Sequence, residues 1–160
     1  ALFNRDAKNL IDYIRTAENE QFQATNIREV TTQGIELTGS RTFRIAGQAQ
    51  RFQLGYSYLN DTIDDLDRAL SRYSINTMRH HFTANYTAKI VKNITASVMY
   101  KWAQRPAQEA YQVVDASVQW QLHDLRFSFY ANNLFNEVYT ESSLVPMPLG
   151  NGLFRVQVVF

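Results

Sequence analysis

The chain has 160 residues, a formal net charge of +1, no cysteine and 13% aromatic residues. That length suffices for one domain with a substantial interior. The near-neutral balance gives no pull toward nucleic acid, and the lack of cysteine excludes a disulfide framework or a thiolate metal site.

Mean hydropathy is −0.35, and no apolar run approaches the roughly 18 residues that a transmembrane helix needs. A wall of membrane strands escapes that test, because only alternate residues face lipid. Ala1 opens the chain without an initiator Met, a charged n-region or an apolar h-region, so the chain reads as a mature protein or a piece of one.

In chain order, residues 1–14 form a weakly alternating extended segment, and residues 18–27 read as a polar loop. Residues 34–44 form a strand that turns tightly at Ala46, Gly47 and Gln48, and residues 51–60 form the next. A polar stretch follows over 61–74. Residues 81–91 and 94–102 flank a turn at Lys92-Asn93. A loop holding Arg105-Pro106 leads to a strand at 111–122. A turn at His123-Asp124 precedes residues 125–132. A loop with Pro146, Pro148 and Gly150 leads to the last run, 152–160. This predicts eight antiparallel strands in a meander. Its short turns fall at one end and its long connections at the other, as in outer-membrane barrels.

Period-two alternation sorts the strands into two faces. One face carries Phe52, Leu54, Tyr56 and Tyr58, then Phe82, Ala84, Tyr86, Ala88 and Ile90, then Ile94, Ala96, Val98, Tyr100 and Trp102. It continues with Val114, Ala116, Val118, Trp120 and Leu122, then Leu125, Phe127, Phe129 and Ala131. None of these residues is charged. The other face is built from Gln53, Ser57, Thr83, Asn85, Thr87, Thr95, Ser97, Gln119 and Ser128, with Lys89, Lys101, Asp115, Arg126 and Arg155.

The apolar face reads either as the interior of a soluble lipocalin-like barrel or as a lipid-facing surface around a polar lumen. An eight-stranded interior has room for little more than its own side chains. Tyr58, Tyr100, Trp102 and Trp120 lie toward strand ends, where interfacial aromatic belts sit. The membrane reading is therefore favoured, with all-β transmembrane architecture and the apolar residues turned outward.

The last run ends with Phe154, Val156, Val158 and Phe160 at alternate positions. It resembles the C-terminal signal that the barrel-assembly machinery reads in bacterial outer-membrane proteins.

Four ordered segments resemble those of TonB-dependent receptors. Phe3-Asn4-Arg5-Asp6-Ala7-Lys8-Asn9-Leu10-Ile11 is similar to a strand ending D-I-x-D-L-I. Thr32-Gln33-Gly34-Ile35-Glu36-Leu37 is similar to a T-x-G-x-E strand. Asn133-Leu134-Phe135-Asn136-Glu137-Val138-Tyr139 resembles N-L-F-D-x-x-Y. Met147-Pro148-Leu149-Gly150 resembles M-P-G-R, with Asn151 where the family has arginine.

The resemblance implies an up-and-down barrel of about twenty-two strands with a plugged lumen, of which residues 1–160 would be the last eight. It places the protein in the bacterial outer membrane. Its implied partners are lipid, the N-terminal strands and plug of the same receptor, TonB through that plug, and the barrel-assembly machinery. The implied cargo is an iron–siderophore, haem or cobalamin. A complete eight-stranded outer-membrane barrel, a soluble ligand-binding barrel and a porin fragment remain as alternatives.

No catalytic motif, phosphate loop or metal-ligand spacing appears, and no cofactor is expected. His80 and His81 are adjacent, so in a strand they face opposite sides. Asp61, Asp64, Asp65 and Asp67 lack the glycine and distal glutamate of a calcium loop.

The long connections at 15–26, 61–74, 104–109 and 141–150 would form part of a capture surface. Arg15, Arg68, Arg72 and Arg105 are the candidates there for anionic ligands, and Tyr13, Tyr73 and Tyr139 for flat ones. Asn133, Phe135 and Tyr139 are expected to shape the last hairpin. The charged triplet Asn4-Arg5-Asp6 is unsuited to a lipid-facing closing strand, so the first and last strands are not expected to pair.

Overall fold

The computed structural model describes residues 1–17, 19–63, 70–71, 78–106, 108–142 and 145–159, and within them every regular element is a strand. These are β1 (Leu2–Arg15), β2 (Gln23–Ile45), β3 (Gln48–Ile63), β4 (Leu70–Ser71), β5 (His80–Val91), β6 (Ile94–Gln104), β7 (Tyr111–Leu122), β8 (Leu125–Asn132), β9 (Thr140–Ser142), β10 (Val145–Pro146) and β11 (Asn151–Val158). The eight long strands form an antiparallel meander in the order β11-β8-β7-β6-β5-β3-β2-β1, with β4 beyond β1. β4 joins the free edge of β1 through Ile14↔Ser71 and Arg15↔Leu70, while β9 and β10 form a separate small pair.

Three two-residue turns close one end of the sheet. Ala46 and Gly47 both have positive φ, 48° and 77°, as a type I′ hairpin requires, and this turn matches the right-handed twist of the flanking strands. Lys92-Asn93 closes β5 onto β6 after a register irregularity between Lys89 and Val91. The Gln50 amide donates to the Lys89 carbonyl at 3.4 Å beside it. His123, at φ 51°, opens the third turn, and Leu122↔Leu125 closes its ladder. All long connections lie at the opposite end.

Register confirms the two faces. One row runs Arg41, Phe52, Tyr86, Val98, Ala116, Ala131 and Gly152. A row on the other face runs Glu36, Ser57, His81, Ala103 and Tyr111. Nothing among the described residues packs over the apolar face: Val98 is 48% exposed and Phe154 63%. The buried hydrophobic residues are few, namely Val30, Ala88, Ala103, Tyr111 and Val113. The soluble-barrel alternative needs the apolar set packed inward, and the sheet leaves it bare.

The first expected loop is overturned. β2 begins at Gln23, so residues 23–27, read as polar loop, are strand, and β2 extends eleven residues before the expected start at 34. Asp61–Ile63 likewise belong to β3, although read as loop. The face of these extensions that continues the apolar band is itself polar: Asp6 pairs with Thr31, Lys8 with Glu29 and Asp12 with Thr25. A face without a run of apolar residues shows no alternation, so the periodicity signal vanishes while the backbone pairing persists. Strands β4, β9 and β10 also went unread, being too short to show a period.

The T-x-G-x-E segment gains a physical reason here. Phe3 pairs with Gly34, and a Cβ at Gly34 would overlap the Phe3 ring and the Leu59 side chain. The ring fills the bare glycine, which stabilises an otherwise weak strand position. Thr32 donates to Asp61 at 2.6 Å one rung away. Phe154 pairs with Phe129, so among the described residues β1 and β11 share no ladder and the sheet is open, as expected.

Candidate functional site

At the long-connection end, the polar face gathers a cluster around Lys101. Alternation on β6 and β7 puts Lys101, Ala103, Tyr111 and Val113 on this face, with Ala103, Tyr111 and Val113 forming a small buried core against which Met78 and Tyr139 pack. Lys101 forms an ion pair with Glu141. Its ammonium lies 5.0 Å from the Tyr139 ring centre and 5.6 Å from that of Tyr111, and the two rings stack at 4.6 Å. Burial raises the Tyr139 phenol above its usual range, and the Lys101 charge opposes that rise.

Arg105, only 5% exposed, directs its terminal nitrogens to the carbonyls of Thr140 at 3.2 Å and Glu141 at 2.6 Å. The segment carrying Tyr139 and Glu141 is thereby fixed to the sheet.

Asn133 anchors the other end of that segment. Its backbone N–H donates to Asp115 at 2.8 Å, and its side-chain amide donates to the Glu137 carbonyl at 2.9 Å and the Pro148 carbonyl at 3.2 Å. Its side-chain oxygen accepts from the Glu137 N–H at 2.8 Å. Asn133 itself adopts φ 49° and Asn136 φ 56°, conformations that asparagine tolerates better than most residues. The N-L-F-N segment is thus a corner that turns the chain back onto the polar face. The expectation for Asn133 and Tyr139 holds, whereas Phe135 is exposed rather than packed into the corner.

The candidate residues do not converge on one point. Tyr13 and Arg15 lie near the tip of the β1–β2 hairpin, where Arg15 sits 4.7 Å over the Phe22 ring. The hairpin tip is held by Glu20, whose carboxylate accepts from the Thr16 hydroxyl at 2.6 Å and from the Thr16 and Ala17 amides. These bonds hold Glu20 below its usual carboxylate range. Arg105 and Tyr139 belong to the Lys101 cluster. Arg68, Arg72 and Tyr73 lie outside the described residues, as do Asp64, Asp65 and Asp67 of the acidic stretch and Phe160 of the terminal signal. Among the described residues no group of three or more metal-ligating side chains occurs.

His80 and His81 do separate. His80 joins the apolar face, accepting or donating at 2.9 Å with Tyr56 and lying 5.0 Å from Tyr58 and 6.1 Å from Trp102. This girdle of three rings and one imidazole marks the upper border of the apolar band. Phe154 stacks on Phe127 at 6.4 Å, and Phe127 lies tilted against Trp120 at 5.5 Å, which forms a second group of rings toward the short turns. Glu141 and Tyr111 were missed as site residues. The first sat in an apparent loop and the second at a strand end, and only the fold of residues 133–142 brings both to Lys101.

The polar face also carries a depression of about 480 Å³ lined by Thr38, Ser40, Gln53, Gly55, Thr83, Asn85 and Met99. A second, of about 370 Å³, includes Lys89, Lys92 and Arg126 near the short turns. The first is neutral and hydroxyl-rich, and neither contains a carboxylate.

The family model described as "TonB dependent receptor-like, beta-barrel" matches residues 1–134, that is, β1 through β8 and the start of the Asn133 corner. No curated protein and no solved structure matches. The chain therefore belongs to the TonB-dependent-receptor-like β-barrel family, whose members are receptors and transporters rather than enzymes.

Proposed function

We propose that this chain forms part of the wall and external surface of an energy-coupled outer-membrane receptor for a scarce nutrient chelate: an iron–siderophore, haem or cobalamin. The bare apolar face is the observation that carries this reading. On β2 it spans residues 35–45, about 33 Å along the strand. At a tilt of about 45°, that is about 23 Å of height, against the roughly 25 Å apolar band of outer-membrane barrels.

Within the band, among the described residues, Arg41 is the charged exception, five residues before Ala46 of the short turn. Its long stem lets the guanidinium reach the near interface. Beyond the band, the 23 residues of β2 are about twice the 9–11 that cross a bilayer. The surplus projects into water at the end that carries the long connections.

In this reading the polar face contacts a plug supplied by the same receptor, and that plug contacts TonB. β11, with Phe154, Val156 and Val158, continues toward Phe160 as the assembly signal. The capture surface comprises the projecting hairpin with Tyr13 and Arg15, the connection holding Arg68, Arg72 and Tyr73, and the segment holding Arg105 and Tyr139. Arg105 contributes there by fixing Tyr139 and Glu141, because its terminal donors already meet carbonyls.

The test is genetic and physical. A strain lacking the full-length receptor is compared with its parent for growth on each chelate as sole source, with and without TonB. Growth on one chelate that requires both proteins supports the reading. Growth that requires neither, or a receptor found outside the outer-membrane fraction, overturns it.

A further inference from the structure

The Lys101 cluster holds more hydrogen-bond donors than acceptors. Lys101 offers three N–H groups and meets one carboxylate, that of Glu141. Among the described residues the Tyr111 hydroxyl and the Arg105 Nε have no hydrogen-bond partner, although the two residues are only 7% and 5% exposed. Buried donors left unmet are costly, so the cluster is suited to receiving further acceptor oxygens. Glu141 is also the more exposed partner of its ion pair, with its side chain 37% accessible against 19% for Lys101. The carboxylate can leave more readily than the cation can follow.

We propose that Lys101, with Arg105 and Tyr111 beside it, is a carboxylate-binding site on the polar wall, and that Glu141 occupies it as an internal stand-in for the carboxylate of a solute. The inference rests on reading the polar face as a lumen wall and names one anionic group that the wall would meet. The two stacked tyrosine rings lie beside Lys101 and favour a cation there. A solute carboxylate takes the position of the Glu141 carboxylate on Lys101. Glu141 then swings outward, and residues 139–141 lose one of their ties to the sheet while Arg105 keeps its two carbonyl bonds and Tyr139 its stack on Tyr111. Competition between an internal and an external carboxylate sets the affinity, so neutralising the internal one strengthens binding.

The test uses the full-length receptor in detergent micelles. Val138, 81% exposed and next to Tyr139, is replaced by cysteine, with any cysteine elsewhere in the receptor changed to serine, and carries a nitroxide. Succinate is the probe, with succinamide and sodium chloride at matched ionic strength as controls. The expected result is increased nitroxide mobility with succinate alone. Glu141→Gln should raise succinate affinity about tenfold, the scale of one charge-assisted bond, while Lys101→Met abolishes the response and Lys101→Arg restores it in part. An affinity that Glu141→Gln leaves unchanged overturns the proposal, as does an equal response to succinamide. If Lys101→Met fails to fold, the Glu141→Gln comparison still decides. Heat-modifiable migration of the unsubstituted receptor is measured alongside, so a failure of the barrel reading shows separately from a failure at this site.

Discussion

Val98 and Ser97 are neighbours on β6 that point to opposite faces, and substituting each by arginine isolates what each face meets. Val98 is the middle of the five outward positions Ile94, Ala96, Val98, Tyr100 and Trp102, with Tyr86 and Ala116 beside it. That places it midway along the outward run of β6, between the Tyr58–His80–Trp102 group and the rings near the short turns. Its replacement by arginine should cost about 2–4 kcal/mol in a bilayer. Ser97 faces the polar side, where its hydroxyl bonds that of Ser117 at 2.8 Å. Losing that bond costs about 1 kcal/mol, and an arginine there keeps its hydration. Equilibrium unfolding of the full-length receptor in phospholipid vesicles measures both. Val98→Arg should destabilise by at least twice as much as Ser97→Arg. Equal losses, or the reverse order, would refute the assignment of faces.

Gly34→Ala should destabilise by about 1–3 kcal/mol, because the new methyl displaces the Phe3 ring. Adding Phe3→Ala should recover part of the loss in a double-mutant cycle read by the same unfolding assay. Asn133→Ala removes three side-chain bonds from a buried corner and should cost about 2–3 kcal/mol locally, seen as faster hydrogen exchange and proteolysis over 134–150 with the strand amides unchanged. Asn133→Asp keeps the acceptor for the Glu137 N–H and loses both donors, so it should fall between wild type and alanine. Glu20 has a folded pKa below its ordinary value, so the order it gives the β1–β2 tip is full above that ordinary value, near 4.5, and is lost as pH falls through the lower folded one. Exchange of the Thr16 and Ala17 amides across that acidic range reports it. Unchanged protection well below pH 4.5 would contradict the role given to Glu20.

Much of this architecture was legible because a sheet with one apolar and one polar face imposes a simple rule on sequence. Where a strand has an apolar environment on one side and a polar one on the other, alternation is strict, and β5 to β8 could be read to within a residue or two. Turns that use left-handed residues also announce themselves, as Ala46-Gly47 and His123-Asp124 did through Ala46, Gly47 and His123. The rule fails where neither face is consistently apolar. Asn4, Asp6, Lys8, Glu29 and Thr31 lie on the face that continues the apolar band and break its pattern, yet the β1–β2 backbone pairing runs through them. The Lys101 cluster was hidden for a different reason. Lys101 was placed on the polar face by period alone, but its partner Glu141 lies 40 residues on, beyond a corner whose geometry depends on Asn133. No local pattern carries a contact of that kind. The family segments were stronger guides than the periodicity at Gly34 and Asn133, and the structure supplies the reason in each case: a ring that replaces a missing side chain, and a side chain that replaces missing backbone partners.

The division between ladder and non-ladder residues also locates where this protein can change shape. β2 and β3 pair without a register shift from Val30↔Ile63 to Ile45↔Gln48, and every long strand pairs with its neighbour in sequence. In the proposed membrane setting, a backbone group that leaves its partner finds no water to replace it, so sliding or opening the wall would expose unmet donors and acceptors one rung after another. On that reading the wall is rigid for a reason that does not depend on side-chain packing, which is sparse among the described residues. Residues 133–142 stand differently. They are tied to the sheet mostly through side chains, namely Asn133, Arg105, Lys101 and the Tyr111–Tyr139 stack, and these contacts can be exchanged one at a time. A receptor built on this wall has to express binding at its outer surface through such side-chain ties and through whatever fills its lumen. The Lys101–Glu141 pair and the Tyr111–Tyr139 stack are the described ties whose release costs no backbone hydrogen bond.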